Sequence, residues 1–207
     1  MGAGKGHAMS WLSEHGLFSL EKVVHIDPDH FKTVMPEWRG YIEQDRTAGT
    51  QKAGTMCHKE SGLLQELATE LALTRGQNTW IDGSLGDHEW FRLEFAKIRQ
   101  RFPQYRIAIF YVYCAEETVL ARALSRGQKT GLYNQIQLLS SHSFMSGRFV
   151  PEENLKQSMK NTRESVEILA PLADFLVRIN NEHRTPVLEV HTPWHRMVLI
   201  LTLELGV

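Results

Sequence analysis

Apolar residues in this chain fall into short runs separated by stripes at helical spacing. The runs are Val23–Ile26, Thr79–Ile81, Arg106–Cys114 and Asp174–Asn180, each short and rich in β-branched or aromatic residues, which predicts buried strands. Helical patterns follow them. Ala8–Leu12 comes straight after a glycine-rich start, and Asp27-Pro-Asp29 can turn the chain and cap a helix through Phe31. His58–Arg75 carries apolar residues at 63, 64, 67, 68, 71 and 72 and stops at Gly76. Further helices are expected over Glu89–Arg101, over Glu116–Arg126, and from Pro151-Glu-Glu153, where proline and acids suit a first turn. Gly49–Thr55, in which Ala-Gly-Thr occurs at 48–50 and again at 53–55, reads as loop. In the tail, Val187–Val190 reads as an edge segment and Met197–Leu205 as the buried face of a closing helix. Strand and helix in alternation predict an α/β fold with a mostly parallel sheet covered on both faces. With no long repeat and no linker, residues 1–207 form one expected domain.

Composition narrows the class. The chain has 207 residues, 42% hydrophobic and 23% charged, which is ordinary for a globular protein and excludes collagen-like or disordered chains. Twenty-three basic against 24 acidic residues give a net charge of −1, with no sign of a nucleic-acid footprint or an anionic-membrane patch. Met197–Leu205 is too short to span a bilayer and contains Glu204. The glycine-rich start lacks the apolar stretch of a secretion signal, so a cytoplasmic protein is expected. Cys57 and Cys114, far apart in sequence, read as reduced thiols. No histidine pairs with cysteine or a second histidine at ligand spacing, so no protein-held metal site is expected.

The chemistry begins at Gly2-Ala3-Gly4-Lys5-Gly6-His7, the back half of a phosphate-binding loop opening a helix. Glycines let backbone N–H groups curl round phosphate oxygens, the helix start adds positive dipole, and the lysine reaches the β- and γ-phosphates. Asp27 and Asp29 close the Val23–Ile26 run. A carboxylate at the carboxyl end of a parallel strand faces the ligand crevice, although either acid could also serve as a helix cap. Asp82 closes the next run and could hold Mg²⁺ through water. His58, Glu60 and Ser61 open a long helix, either lining an acceptor pocket or matching the helix dipole.

Seven segments in order carry a resemblance: GAGKGH (2–7), VVHIDPDHFKTVMPEW (23–38), CHKES (57–61), TWIDGSL (79–85), RIAIFYVY (106–113), ARALSRGQKTG (121–131) and GRFVPEENL (147–155). Together they resemble the zeta toxin/UDP-N-acetylglucosamine kinase-like group of P-loop kinases, over about residues 1–180. The resemblance implies a P-loop three-layer sandwich that uses ATP with Mg²⁺ to phosphorylate a hydroxyl of a small acceptor, such as a UDP-N-acetyl sugar. It implies that Gly2, Ala3, Gly4, Lys5, Gly6 and His7 hold the nucleotide and that Asp29 is the general base. It implies that Asp82 and Ser84 bind the sugar, with His58, Glu60 and Ser61 beside them. Arg126 and Arg148 match lid arginines that clamp the transferring phosphoryl group, with Arg122 a second candidate on the same helix face.

The chain departs from that pattern in three places. The strand ahead of the loop, central in an implied order of 2-3-1-4-5, and the leading glycine are missing from this sequence, which would leave a gap in the sheet. Gly6 and His7 follow Lys5 where a Ser or Thr hydroxyl would ligate Mg²⁺, so the ion would lean on phosphates, water and Asp82. Leu132–Ser146, uncharged between charged flanks, reads as an insertion splitting the lid and could displace Arg148. Two other readings stand beside the sugar kinase: a P-loop kinase for another small molecule, and a nucleotide-binding or interaction module with weakened catalysis.

Overall fold

The computed structural model describes residues 3–44, 49–125, 152–190 and 200–203. Its centre is a six-stranded sheet made of β1 (Val23–Ile26), β2 (Asn78–Ile81), β3 (Ala108–Tyr113), β4 (Phe175–Asn180), β5 (Val187–Val190) and β6 (Ile200–Leu203). The order is β1-β2-β6-β3-β4-β5. Every pairing is parallel except that of β5, which lies antiparallel on β4 at one edge.

The central slot is therefore filled. The gap expected between β2 and β3 is occupied by β6, which pairs through Ile81↔Thr202 on one side and Ile109↔Thr202 on the other. This corrects the reading of the tail as a closing helix: at residues 200–203 the alternation Ile-Leu-Thr-Leu meets two strand edges with unpaired backbone groups, and pairing both satisfies them. Among the described residues no strand precedes the glycine-rich start.

Eight helices accompany the strands among the described residues: α1 (Lys5–Glu14), α2 (Pro28–Val34), α3 (Pro36–Gln44), α4 (Gly49–Met56), α5 (His58–Thr74), α6 (His88–Arg101), α7 (116–125) and α8 (Glu152–Leu169). The side chains of β3 show why both sheet faces need cover. Ala108, Phe110 and Val112 join the core beneath α1, while Ile109 and Tyr111 join the core beneath α6. Phe110 is fully buried, worth about 2–3 kcal/mol relative to exposure. The expected three-layer P-loop architecture is present.

One further expectation is corrected. Residues 49–56 form α4 and not a loop, because Ala53 packs into a small core with Trp38 and Cys57 and this burial outweighs the local glycines. The leucines of α5 face outward. Leu63, Leu64, Leu67 and Leu71 are exposed, while Ser61, Gln65, Thr69, Ala72 and Leu73 are buried. The hydroxyls of Ser61 and Thr69 donate to carbonyls of their own helix, at His58 (2.9 Å) and Gln65 (2.7 Å), so their burial leaves no donor unmet. Cys57 and Cys114 are buried free thiols in separate cores.

Candidate functional site

Parallel strands bring their carboxyl ends to one edge of a sheet, and here Asp27, Asp82, Cys114 and Asn181 follow β1, β2, β3 and β4 on that edge. The first turn of α1 lies against it. Gly4 is the N-cap of α1 with φ +77°, and no side chain caps this end of the helix. The helix's first backbone bond runs from Ala8 N–H to Gly4 O at 3.1 Å, which leaves the N–H groups of Lys5, Gly6 and His7 outside the helical ladder.

Lys5 begins α1, and its ammonium forms an ion pair with Asp82 Oδ1. The two side chains are only 12% and 16% exposed, so solvent screens the pair weakly. His25 Nε2 lies 3.2 Å from Asp82 Oδ2, and its ring stacks on Trp80 at a centroid distance of 3.9 Å. That stack follows from register, since His25 and Trp80 are direct neighbours across β1 and β2. Burial pushes the Asp82 carboxyl up, but the hydrogen bond from His25 and the charge and hydrogen bond of Lys5 outweigh it. The net effect holds Asp82 below the usual carboxylate range.

Asp27 accepts hydrogen bonds from the N–H groups of Asp29 (2.9 Å) and His30 (3.2 Å), and so caps α2. Asp29 lies in the first turn of α2 with its side chain 57% exposed, and its Oδ1 accepts from Lys32 Nζ at 2.8 Å. Asp27 caps the helix, and Asp29 lies within its first turn. His25, Asp27 and Asp82 each present a ligand atom, and these atoms lie within 4.8 Å of one another. Sequence spacing gives no hint of this group, because 57 residues separate His25 from Asp82 and strand pairing alone unites them.

Of the other expected residues, Ser84 is exposed beyond β2, and His58 and Glu60 are exposed in the first turn of α5. Ser61 is wholly buried. Arg122 is held on α7, where Nη1 donates to Asn181 O (3.1 Å) and Nη2 to Glu182 O (3.2 Å). Its guanidinium is thus committed to the carbonyl groups after β4. Gly2, Arg126, Arg148 and the Leu132–Ser146 insertion lie outside the described residues. Asn181 was not anticipated. Its only sequence signal is a pair of amides, Asn180-Asn181, at the carboxyl end of an apolar strand, where a parallel sheet places its ligand edge.

Among the described residues no helix is long and apolar enough to cross a membrane. The model of the Zeta toxin family matches residues 1–188. No curated protein and no solved structure matches the chain.

Proposed function

Because the chain belongs to the zeta toxin family, a family of P-loop, ATP-using kinases, we propose that it transfers the γ-phosphate of ATP to a hydroxyl of a small acceptor such as a UDP-N-acetyl sugar. The observation that carries this reading is the meeting of Lys5, at the start of α1, with Asp82 at the carboxyl end of β2. A lysine rooted in a glycine-rich helix start and pointing to that edge is placed for the β- and γ-phosphates.

In this mechanism the open N–H groups of the first turn of α1 receive phosphate oxygens, and Lys5 exchanges its carboxylate partner for the phosphates. Asp29 takes the proton of the acceptor hydroxyl as it attacks phosphorus. Its position just after a parallel strand, in the first turn of α2, supports that role. Arg126 and Arg148 neutralise the transferring group, a task suited to the planar guanidinium fork. Ser84, with His58 and Glu60, lines the acceptor side. Most of the rate then comes from positioning and charge.

The carboxylates of Asp82 and Asp27 supply oxygen ligands that fit a hard divalent cation, and His25 hydrogen-bonds Asp82 beside them. His7 offers no hydroxyl, so Asp27 and Asp82 are the residues that would hold Mg²⁺. Bound there with ATP, the ion would spread the charge of the phosphates.

The test is ATP turnover against a panel of UDP-sugars, nucleosides and small polyols, with product identified by mass spectrometry. Phosphorylated UDP-N-acetyl sugar supports the proposal. Turnover confined to another acceptor class, or none with any acceptor despite ATP binding, overturns it.

A further inference from the structure

The phosphate loop is held from beneath by one buried amide. Asn181 is 2% exposed and sits just past β4, two strands from the central slot. Its Nδ2 donates to Ala3 O at 2.5 Å and to Gly4 O at 3.2 Å. Since both partners are carbonyls, the atom facing them must be the nitrogen, and the amide's orientation is fixed by chemistry. The other end, Oδ1, is then an acceptor. It lies 3.1 Å from His7 Nδ1, which must therefore carry the proton.

The main chain of Asn181 is as firmly tied. Its N–H donates to Tyr113 O at 2.7 Å, and its carbonyl accepts from Arg122 at 3.1 Å. Both N–H bonds of the amide, its oxygen and both backbone groups thus have partners drawn from the ends of α1, β3 and α7. The contact is also tight: a Cβ on Gly4 would stand 2.5 Å from Asn181 Nδ2.

We infer that Asn181, with His7, is the positioning pair that shapes the phosphate loop. Tying the Ala3 and Gly4 carbonyl oxygens to an amide beneath the loop keeps two partial negative charges turned away from incoming phosphate. The N–H groups of Lys5, Gly6 and His7 are left facing the ligand. His7 stands where a metal-binding hydroxyl was expected, and its imidazole serves the loop's shape through Asn181. Arg122 supports the same unit through the Asn181 carbonyl and so acts on the loop, not on the phosphates. The inference rests on the proposed ATP-binding reading for its consequence in affinity, but not for its consequence in loop geometry.

The experiment compares wild type, Asn181→Ala, Asn181→Asp and His7→Ala by three readouts: backbone amide resonances of Gly4–His7 without ligand, affinity for a fluorescent ATP analogue, and melting temperature. Asn181→Asp keeps the shape but replaces the donor with an acceptor that repels both carbonyls. The expected result is displaced Gly4–His7 resonances in both Asn181 variants, with about tenfold weaker ATP binding for Asn181→Ala and a larger loss for Asn181→Asp. His7 is exposed, so His7→Ala is expected to fold as wild type, to move the Asn181 side-chain amide resonances and to weaken ATP about threefold. If Asn181→Asp behaves as wild type while Asn181→Ala does not, the side chain only fills space and the inference fails. Should the Asn181 variants not fold, unmoved Asn181 amide resonances in His7→Ala would overturn it. Displaced Gly4–His7 resonances in the Asn181 variants, together with a wild type that does not bind ATP, would uphold the clamp and refute the kinase reading.

Discussion

Replacing Gly4 with alanine tests the loop geometry through stability alone, without reference to any substrate. Gly4 has φ +77°, where an L side chain costs about 1–2 kcal/mol. The added methyl would also stand 2.5 Å from Asn181 Nδ2, closer than atoms approach. Asn181 cannot yield cheaply, because it is buried and tied through its backbone to Tyr113 and Arg122. Its amide must therefore leave the Ala3 and Gly4 carbonyls, at about 1 kcal/mol for each hydrogen bond. Alanine recovers about 0.4–1 kcal/mol by restricting the unfolded chain. The net expectation is a loss of about 3 kcal/mol, or roughly 6–12 °C in melting temperature for a chain of this size. Urea unfolding of Gly4→Ala, Asn181→Ala and the double variant would measure it. In the double variant the clash is gone, so the two losses must fall short of additive by more than about 1 kcal/mol. Additive losses, or a Gly4→Ala change below about 0.5 kcal/mol, would refute the packing of Gly4 against Asn181.

Asp29→Asn should keep ATP affinity while lowering turnover about 10²-fold or more, the usual scale for losing a general base; equal turnover would make Asp29 a helix-turn residue only. Asp82 titrates below the usual carboxylate range when folded, so its contribution to stability is complete above about pH 4 and is lost as pH falls through the folded value. Asp82→Asn should therefore show a flatter fall in urea stability than wild type between about pH 5 and pH 2, and parallel profiles would contradict the Lys5–Asp82–His25 arrangement.

The strands were legible in the sequence because their apolar runs are short and rich in β-branched and aromatic residues, most cleanly in β3, which is buried on both faces. Val23–Ile26, Thr79–Ile81, Arg106–Cys114 and Asp174–Asn180 each contain the observed strand, give or take a terminal residue. The segment misread as loop is one in which tertiary contacts overrode local pattern. In α4, Ala53 packs with Trp38 and Cys57 despite the helix's glycines. In α5, self-bonded Ser61 and Thr69 took the buried side and the leucines the exposed one. The tail misled because Ile-Leu-Thr-Leu suits either a strand or one face of a helix, and the empty slot beside β2 and β3 decides between them. At the site, Lys5 and Asp82, which the structure brings together, could be read from glycine spacing and from an acid that ends a strand. Asn181 and His25 could not, because their partners lie 178 and 57 residues away and are reached only through the fold.

The central claim is that the glycine-rich start and Lys5 form a working phosphate site in this chain. Isothermal titration of ATP with Mg²⁺ into wild type and Lys5→Ala measures it most directly. One-site binding by wild type, abolished in a folded Lys5→Ala, is the predicted result. No binding by wild type, or the same affinity in both proteins, would contradict it.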